Sequence, residues 1–461
     1  MTPISHNRST ATTLPVGRTR FVTLLLFGIA GYMFLDRTFA WLIRVPGVPI
    51  FLGEMLLALG AIEIIRARRA ARFLILRSAT AKWILLFVFM GMLRLTADIS
   101  TYRLDAIRDA AIFYYSILAI IVATYVMVIP ETINRGFKAY NRIIPWYFVW
   151  APIAVFLSRV FAGVAPLIPG SLTSTLSFKG GNYAVWTALG VAYLWLVHQA
   201  DTPMELRRRS ILTALGTGGI FVAGSQNRGG LLVGIAVIGL TILMSKRPSR
   251  TLFRIGAIGL ALFGTLFALD ARVETGGREI SVRQIVENVQ SVFADGGDDS
   301  LAGTKRWRLE LWNGITQDVI YGDYPLGFGL GPNIAERYNA VPVQLDAFQT
   351  LRNAHNSHLG ILARLGIPGA TLWGLIWITF TIAVLRIRQR LRNSDPEAAA
   401  ILTWLLLGVV AILANATFDP TLEGPQVAVP FYVFTGTALG MIARVSAGYP
   451  ALKTANGGSQ N

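Results

Sequence analysis

Apolar runs of about 17–25 residues, long enough to cross a hydrocarbon core as helices, recur through most of this chain. They lie near 21–40, 48–65, 80–96, 109–129, 143–163, 182–199, 210–226, 229–245, 252–270, 358–386, 399–418 and 426–444. This pattern predicts an all-α polytopic membrane protein of about twelve transmembrane helices, since strand-built pores show short alternating segments instead. The first three runs are interrupted by Asp36, Arg37 and Glu54, which are expected at the membrane interfaces. The run from His358 exceeds one crossing, so a tilt or a break at Gly366-Ile367-Pro368-Gly369 is expected.

Polar segments between the runs set the orientation. Arginine and lysine gather at 66–77, 135–142, 207–209, 246–250 and 386–392. These are alternate loops, so the positive-inside rule places them and both termini in the cytoplasm. The turn Gly224–Gly230, the long connection 271–357 and the polar mouth at His355 then face outward. The whole chain, 1–461, reads as a single integral membrane domain, with 271–357 as an extracytoplasmic loop before the third-last helix. Within that loop Val282, Ile285, Val289 and Val292 predict an amphipathic helix over Ser281–Phe293. Ala294–Ser300 reads as a turn. Trp307, Leu311, Ile315 and Val319 predict a second helix over Thr304–Ile320. Pro325-Leu326-Gly327-Phe328-Gly329-Leu330-Gly331 reads as a flexible glycine loop.

Composition agrees with the patterning. The chain is 53% hydrophobic and 15% charged, with a mean hydropathy of +0.53. Its formal charge of +17 is a topology signal in such a protein and does not point to nucleic acid. The absence of cysteine removes disulfide and thiolate chemistry. The basic, apolar N-terminus lacks a small-residue cleavage site and reads as a retained helix. Gly436 and Gly440 form a GxxxG pair expected to pack within the bundle.

Candidate chemistry gathers on the outward side. Two of only four histidines, His355 and His358, stand at the mouth of one apolar run, and imidazole is the side chain suited to moving a proton near neutral pH. Arg228 lies between glycines where the charge rule does not place arginine. Arg306 and Arg308 open the second loop helix. Guanidiniums offer planar forks to phosphate oxygens, so these arginines suit a diphosphate; Lys179, in the outward turn before Gly180-Gly181-Asn182, is a further candidate. Arg352, Asn356 and His358 complete the set expected at substrate. No acidic cluster or His/Asp spacing suits a metal, so the expected mechanism uses no metal and no cofactor.

His355-Asn356, nine residues and then Gly366-Ile367-Pro368-Gly369 resembles the His-(Asn/Ser/Gln)-x9-Gly-x-x-(Gly/Thr/Tyr) motif of the O-antigen ligase family. That family lies within the superfamily that includes O-antigen and exopolysaccharide polymerases. Arg228 with its small neighbours, Arg308-Leu309-Glu310-Leu311-Trp312 and Pro325-Leu326-Gly327-Phe328-Gly329 extend the resemblance. It implies a metal-independent, inverting glycosyltransferase in a bacterial inner membrane, active on the outer side. The implied donor is an undecaprenyl-diphosphate-linked glycan, and His355 is the expected general base. A ligase would use the lipid A core as acceptor, a polymerase another lipid-linked repeat. From a different class, a flippase or transporter would also suit twelve spans and a basic cavity. Such proteins show internal repeats with broken helices in both halves, and only one strong interruption is visible here.

Overall fold

The computed structural model describes residues 16–45, 48, 50–161, 163–171, 173–198, 200–224, 227–245, 272–275, 278–281, 299–338 and 352–452. Each expected apolar run except 252–270, which lies outside them, coincides with helix. In order these are α1 (Val16–Leu42), α2 (Leu52–Arg66), α3 (Arg68–Arg77), α4 (Ala79–Tyr102), then α5 (Leu104–Asp109), α6 (Ala111–Tyr114) and α7 (Ile117–Val128). There follow α8 (Glu131–Val160), α9 (Gly180–Leu196), α10 (Pro203–Gly224) and α11 (Arg228–Met244). After an antiparallel hairpin, Arg272–Thr275 with Arg278–Ser281, come α12 (Asp299–Thr316), the single turn α13 (Ile334–Arg337), α14 (Ser357–Ser394), α15 (Pro396–Ala416) and α16 (Pro425–Ser446).

Among the described residues seven segments are long and apolar enough to cross a membrane: α1, α4, Leu104–Val128, α8, α14, α15 and α16. Helix α11 is apolar but shorter. Ile65, Trp146 and Leu243 are 71%, 73% and 81% exposed, which suits a surface facing acyl chains and would burden one facing water. Helices α7 and α16 pack closely because Gly436 and Gly440 carry no side chain. A Cβ at Gly436 would stand 2.6 Å from the Ala119 carbonyl oxygen, so this GxxxG pair serves packing within the bundle, as expected.

One expectation is corrected and another lies outside the described residues. Asp36 and Glu54, expected at the interfaces, are enclosed by the protein: Asp36 is 2% exposed, and Glu54 accepts from the Tyr114 and Tyr115 hydroxyls and the Phe51 N–H. Carboxylates can sit inside an apolar bundle when donors converge on them. The turn read over Ala294–Ser300 ends earlier, because α12 already begins at Asp299. The amphipathic helix expected over Ser281–Phe293 lies outside the described residues, apart from Ser281 at the end of the hairpin.

The glycine loop is also unlike its sequence reading, being pinned on several sides. Helix α14 breaks at Gly366 (φ 65°, ψ −164°), a backbone state that only glycine adopts readily. The carbonyls freed at the break are met by the loop: Phe328 N–H donates to Ala363 O at 2.6 Å, and Gly329 N–H to Arg364 O at 3.2 Å. Ile367 N–H returns a bond to Pro325 O at 2.9 Å. On its other side Leu330 N–H donates to Asp98 and Gly331 N–H to Asp109, at 2.7 and 2.8 Å.

Candidate functional site

One end of the bundle is built from four connections that meet. The first is a break in α1 at Asp36 (φ 45°, ψ −125°). It frees the Phe34 carbonyl, which accepts from Trp150 Nε1 and the Tyr183 hydroxyl at 2.5 and 2.6 Å. Asp36 turns to the second connection, accepting from the Lys179 N–H at 2.8 Å and from Asn182 Nδ2 at 3.3 Å. The third is the turn before α11, where the Asn227 side chain caps the helix by accepting from Gly230 N–H at 2.8 Å. A Cβ on Gly230 would stand 2.3 Å from the Gly181 Cα, so glycine here lets the Lys179 and Arg228 turns touch. The fourth is Thr417-Phe418-Asp419 after α15, whose Phe418 ring packs on Gly229.

Helix α12 closes this end. Leu311 and Ile315, with Val319 in the π-helical turn Gln317–Tyr321 that continues the helix, are buried with Ile334, Ala354, Leu362 and Ala363, the face the periodicity predicts. Trp312 Nε1 donates to the Ala354 carbonyl at 2.7 Å. This seating brings Arg308 to Phe418, where Nη1 donates to the carbonyl at 3.2 Å. It also stands the Trp307 ring edge-on to His355, with centroids 5.4 Å apart.

His355 sits among these elements with φ 50°, left-handed backbone that is costly for a residue with a Cβ. Its N–H donates to Asn353 Oδ1 at 3.4 Å, and Asn353 Nδ2 donates to Glu423 Oε2 at 2.9 Å. The imidazole Nδ1 is buried with no partner among the described residues. Burial first, then the charges of Arg308, Lys179 and Arg37 opposed by Asp419, bring its pKa down to about 4. The Lys179 ammonium pairs with Asp419 Oδ1 at 2.8 Å. Burial and Arg37 hold that ammonium below its ordinary value against the pull of Asp419. Burial works to raise the Asp419 carboxyl, but Lys179 and Arg37 leave it below the usual carboxylate range. Arg228 and Arg308 feel each other's charge. A base kept neutral thus lies in the field of Arg308, Lys179 and Arg37, and Arg228 adds its charge beside Arg308.

Of the residues singled out from sequence, His355, Arg228, Arg308 and Lys179 come together here. Four others stand elsewhere. Arg306 is exposed and paired with Glu310 at 3.0 Å. Asn356 caps α14, accepting from the His358 and Leu359 N–H groups at 2.9 and 3.1 Å. Both ring nitrogens of His358 are engaged inside the protein: Trp373 Nε1 donates to Nδ1 at 3.0 Å, leaving Nε2–H to donate to the Leu413 carbonyl at 3.0 Å. Arg352 belongs to a neighbouring charge network. It meets Asp105 at 2.9 Å and the Gly331 carbonyl at 2.6 Å, next to the buried Arg364–Asp109 pair at 2.7 Å.

Sequence reasoning missed Arg37, Asp36 and Asp419. The first two looked interfacial, yet an Asp-Arg pair inside an apolar run was itself a signal of a buried partner. Asp419 follows the run 399–418 on the same side, by loop parity, as His355. Among the described residues no group of His, Asp and Glu has metal-binding geometry.

A family model described as O-antigen ligase matches residues 212–374. The matched segment takes in Arg228, Arg308, the glycine loop and the His355–Gly369 stretch. The match bears out the resemblance to the O-antigen ligase and polymerase superfamily and supports an enzyme of that broad type. Lys179, Arg37 and Asp419 lie outside it and join the site only in three dimensions. No curated protein matches the chain significantly.

Proposed function

We propose that the protein is a glycosyltransferase that moves a glycan from a polyprenyl diphosphate to an acceptor sugar hydroxyl on the outer side of the inner membrane. One observation carries this reading: four cations and one neutral, buried imidazole converge at the end of the bundle that the charge pattern turns outward. Arg37, Lys179, Arg228 and Arg308 against Asp36 and Asp419, four positive charges less two negative, leave a formal excess of two. A diphosphodiester carries one negative charge on each phosphate, so the excess matches the donor.

In this mechanism the guanidiniums of Arg228 and Arg308 hold the diphosphate and stabilise charge developing on it as the glycosidic C–O bond breaks. His355 Nδ1 takes the proton of the acceptor hydroxyl as its oxygen attacks the anomeric carbon from the opposite face, which inverts that centre. The diphosphate leaves as an anion on its lipid, and the imidazolium then returns its proton to solvent. The apolar helices beneath the cluster suit the polyprenyl tail. Arg364, Asp109, Arg352 and Glu423 act from behind, fixing the segment that carries His355.

Between ligase and polymerase the ligase reading is preferred, because the matched model is described as O-antigen ligase. Its acceptor would be the lipid A core, whereas a polymerase would extend another lipid-linked repeat. Transfer from purified lipid-linked donor to each acceptor, with EDTA present, tests the proposal. His355→Ala should lower turnover by about 10²–10⁴, the usual weight of a general base. His358→Ala should be much milder, and EDTA without effect. Near-normal turnover in His355→Ala, or loss of wild-type activity in EDTA, would overturn it.

A further inference from the structure

A polar cavity lies at the opposite end of the bundle, lined by Asn141, His198, Glu205, Arg208 and Arg209, with Ile144, Pro145, Leu194 and Leu212 as apolar walls. Its depth follows from helix length. Helix α9 runs from the Lys179 turn to Leu196, and 17 residues rise about 25 Å, close to the thickness of a hydrocarbon core. The cavity therefore sits where phospholipid headgroups of the other leaflet lie.

Its chemistry is directional. The Arg209 guanidinium stacks on the Trp195 indole, 4.2 Å from the ring centroid, and Trp195 is fixed by donating to Thr213 Oγ1 at 2.9 Å. The Arg209 Nε–H is buried with no partner among the described residues, a donor that calls for an acceptor. Glu205 lines the same cavity with the opposite charge. One of its oxygens, Oε2, takes the Asp201 and Thr202 N–H groups, each at 3.0 Å. A lone anion would meet repulsion from that carboxylate. A headgroup with a phosphate and, a few bonds away, a hydrogen-bond donor would satisfy both signs, and its acyl chains would follow the apolar walls.

We propose that this cavity is a binding site for one phospholipid whose headgroup ends in a donor, an ammonium or a hydroxyl. The phosphate meets Arg208 and Arg209 as charge-assisted forks, and the terminal donor meets Glu205. The site is independent of the candidate active site and holds a lipid the reaction does not consume.

Delipidated full-length protein in detergent is titrated with phosphatidylethanolamine, phosphatidylglycerol, phosphatidylcholine and inorganic phosphate, read by native mass spectrometry and by the ligand-induced change in Tm. One molecule of phosphatidylethanolamine or phosphatidylglycerol should bind saturably and raise Tm, while phosphatidylcholine, with no terminal donor, binds more weakly. The double variant Arg208→Gln, Arg209→Gln should bind about tenfold or more weakly, the loss expected for charge-assisted bonds. Glu205→Gln should shrink the preference for phosphatidylethanolamine over phosphatidylcholine. The proposal is overturned by equal binding of phosphatidylcholine, by an equal shift with inorganic phosphate alone, or by undiminished binding in the double variant.

Discussion

The acid side of the pH–rate profile is where the candidate site should depart most from ordinary chemistry. With the His355 pKa down to about 4 in the empty site, about 90% of the imidazole is still neutral at pH 5, against about 3% for a histidine of ordinary pKa 6.5. The kcat/KM for donor reports the free enzyme, so it should fall only on approaching pH 4. Binding changes the sign of the surroundings. A doubly charged diphosphate offsets the cations that disfavour a proton on His355, so the pKa rises in the complex. The acid limb of kcat should therefore lie about one pH unit or more above that of kcat/KM, each unit being about 1.4 kcal/mol of interaction between imidazolium and donor. The sign can be checked by substitution. Arg308 is the largest contributor after burial, so Arg308→Gln should move the kcat/KM limb upward, though not to 6.5, because burial remains. Initial rates of transfer from a purified lipid-linked donor between pH 4 and 8 measure both limbs. A wild-type kcat/KM limb near 6.5, or an Arg308→Gln limb that moves toward lower pH, would refute the electrostatic account of the base.

Two other predictions concern the frame. Arg228→Lys and Arg308→Lys should each lose about tenfold or more in kcat/KM at normal protein levels, because a point ammonium cannot supply the planar fork; two fully active lysine variants would reduce both arginines to headgroup anchors. Gly366→Ala should lower the yield of folded protein or its Tm, since φ is +65° and the new methyl would stand 2.2 Å from the Pro325 carbonyl oxygen; a variant of unchanged Tm would show that the break relaxes without the glycine.

The helices were legible because apolar period and length are local properties of the chain. So was the His355 stretch, where polar residues run straight into an apolar helix. The site as a whole was only half legible. Arg228, Arg308 and Lys179 stood out because arginine and lysine are out of place on the outward side. Arg37 and Asp419 were not visible in the same way, since their meaning depends on which loops meet: Asp36 holds the Lys179 turn, and Asp419 neutralises part of it. Arg352 and His358 illustrate the reverse error. Each looked functional from its neighbours, but one is drawn to Asp105 and the other is locked between Trp373 and Leu413. The glycine loop looked flexible because glycine is permissive, whereas here that permissiveness lets backbone amides reach the broken helix and two aspartates.

The fixed spacing between His355-Asn356 and Gly366 now has a mechanical meaning. Asn356 starts the helix and Gly366 ends its first part, and the nine residues between them, 357–365, make about two and a half turns. This short helical piece acts as a ruler. It holds the imidazole at one end and, at the other, the step onto which Pro325–Gly331 locks. One inserted residue would rotate the far end by about 100° and unseat the loop. The glycine loop and the histidine stretch are therefore one cassette, though more than twenty residues of chain lie between them. In chimaeras built between related proteins, they should be transferable only as a pair.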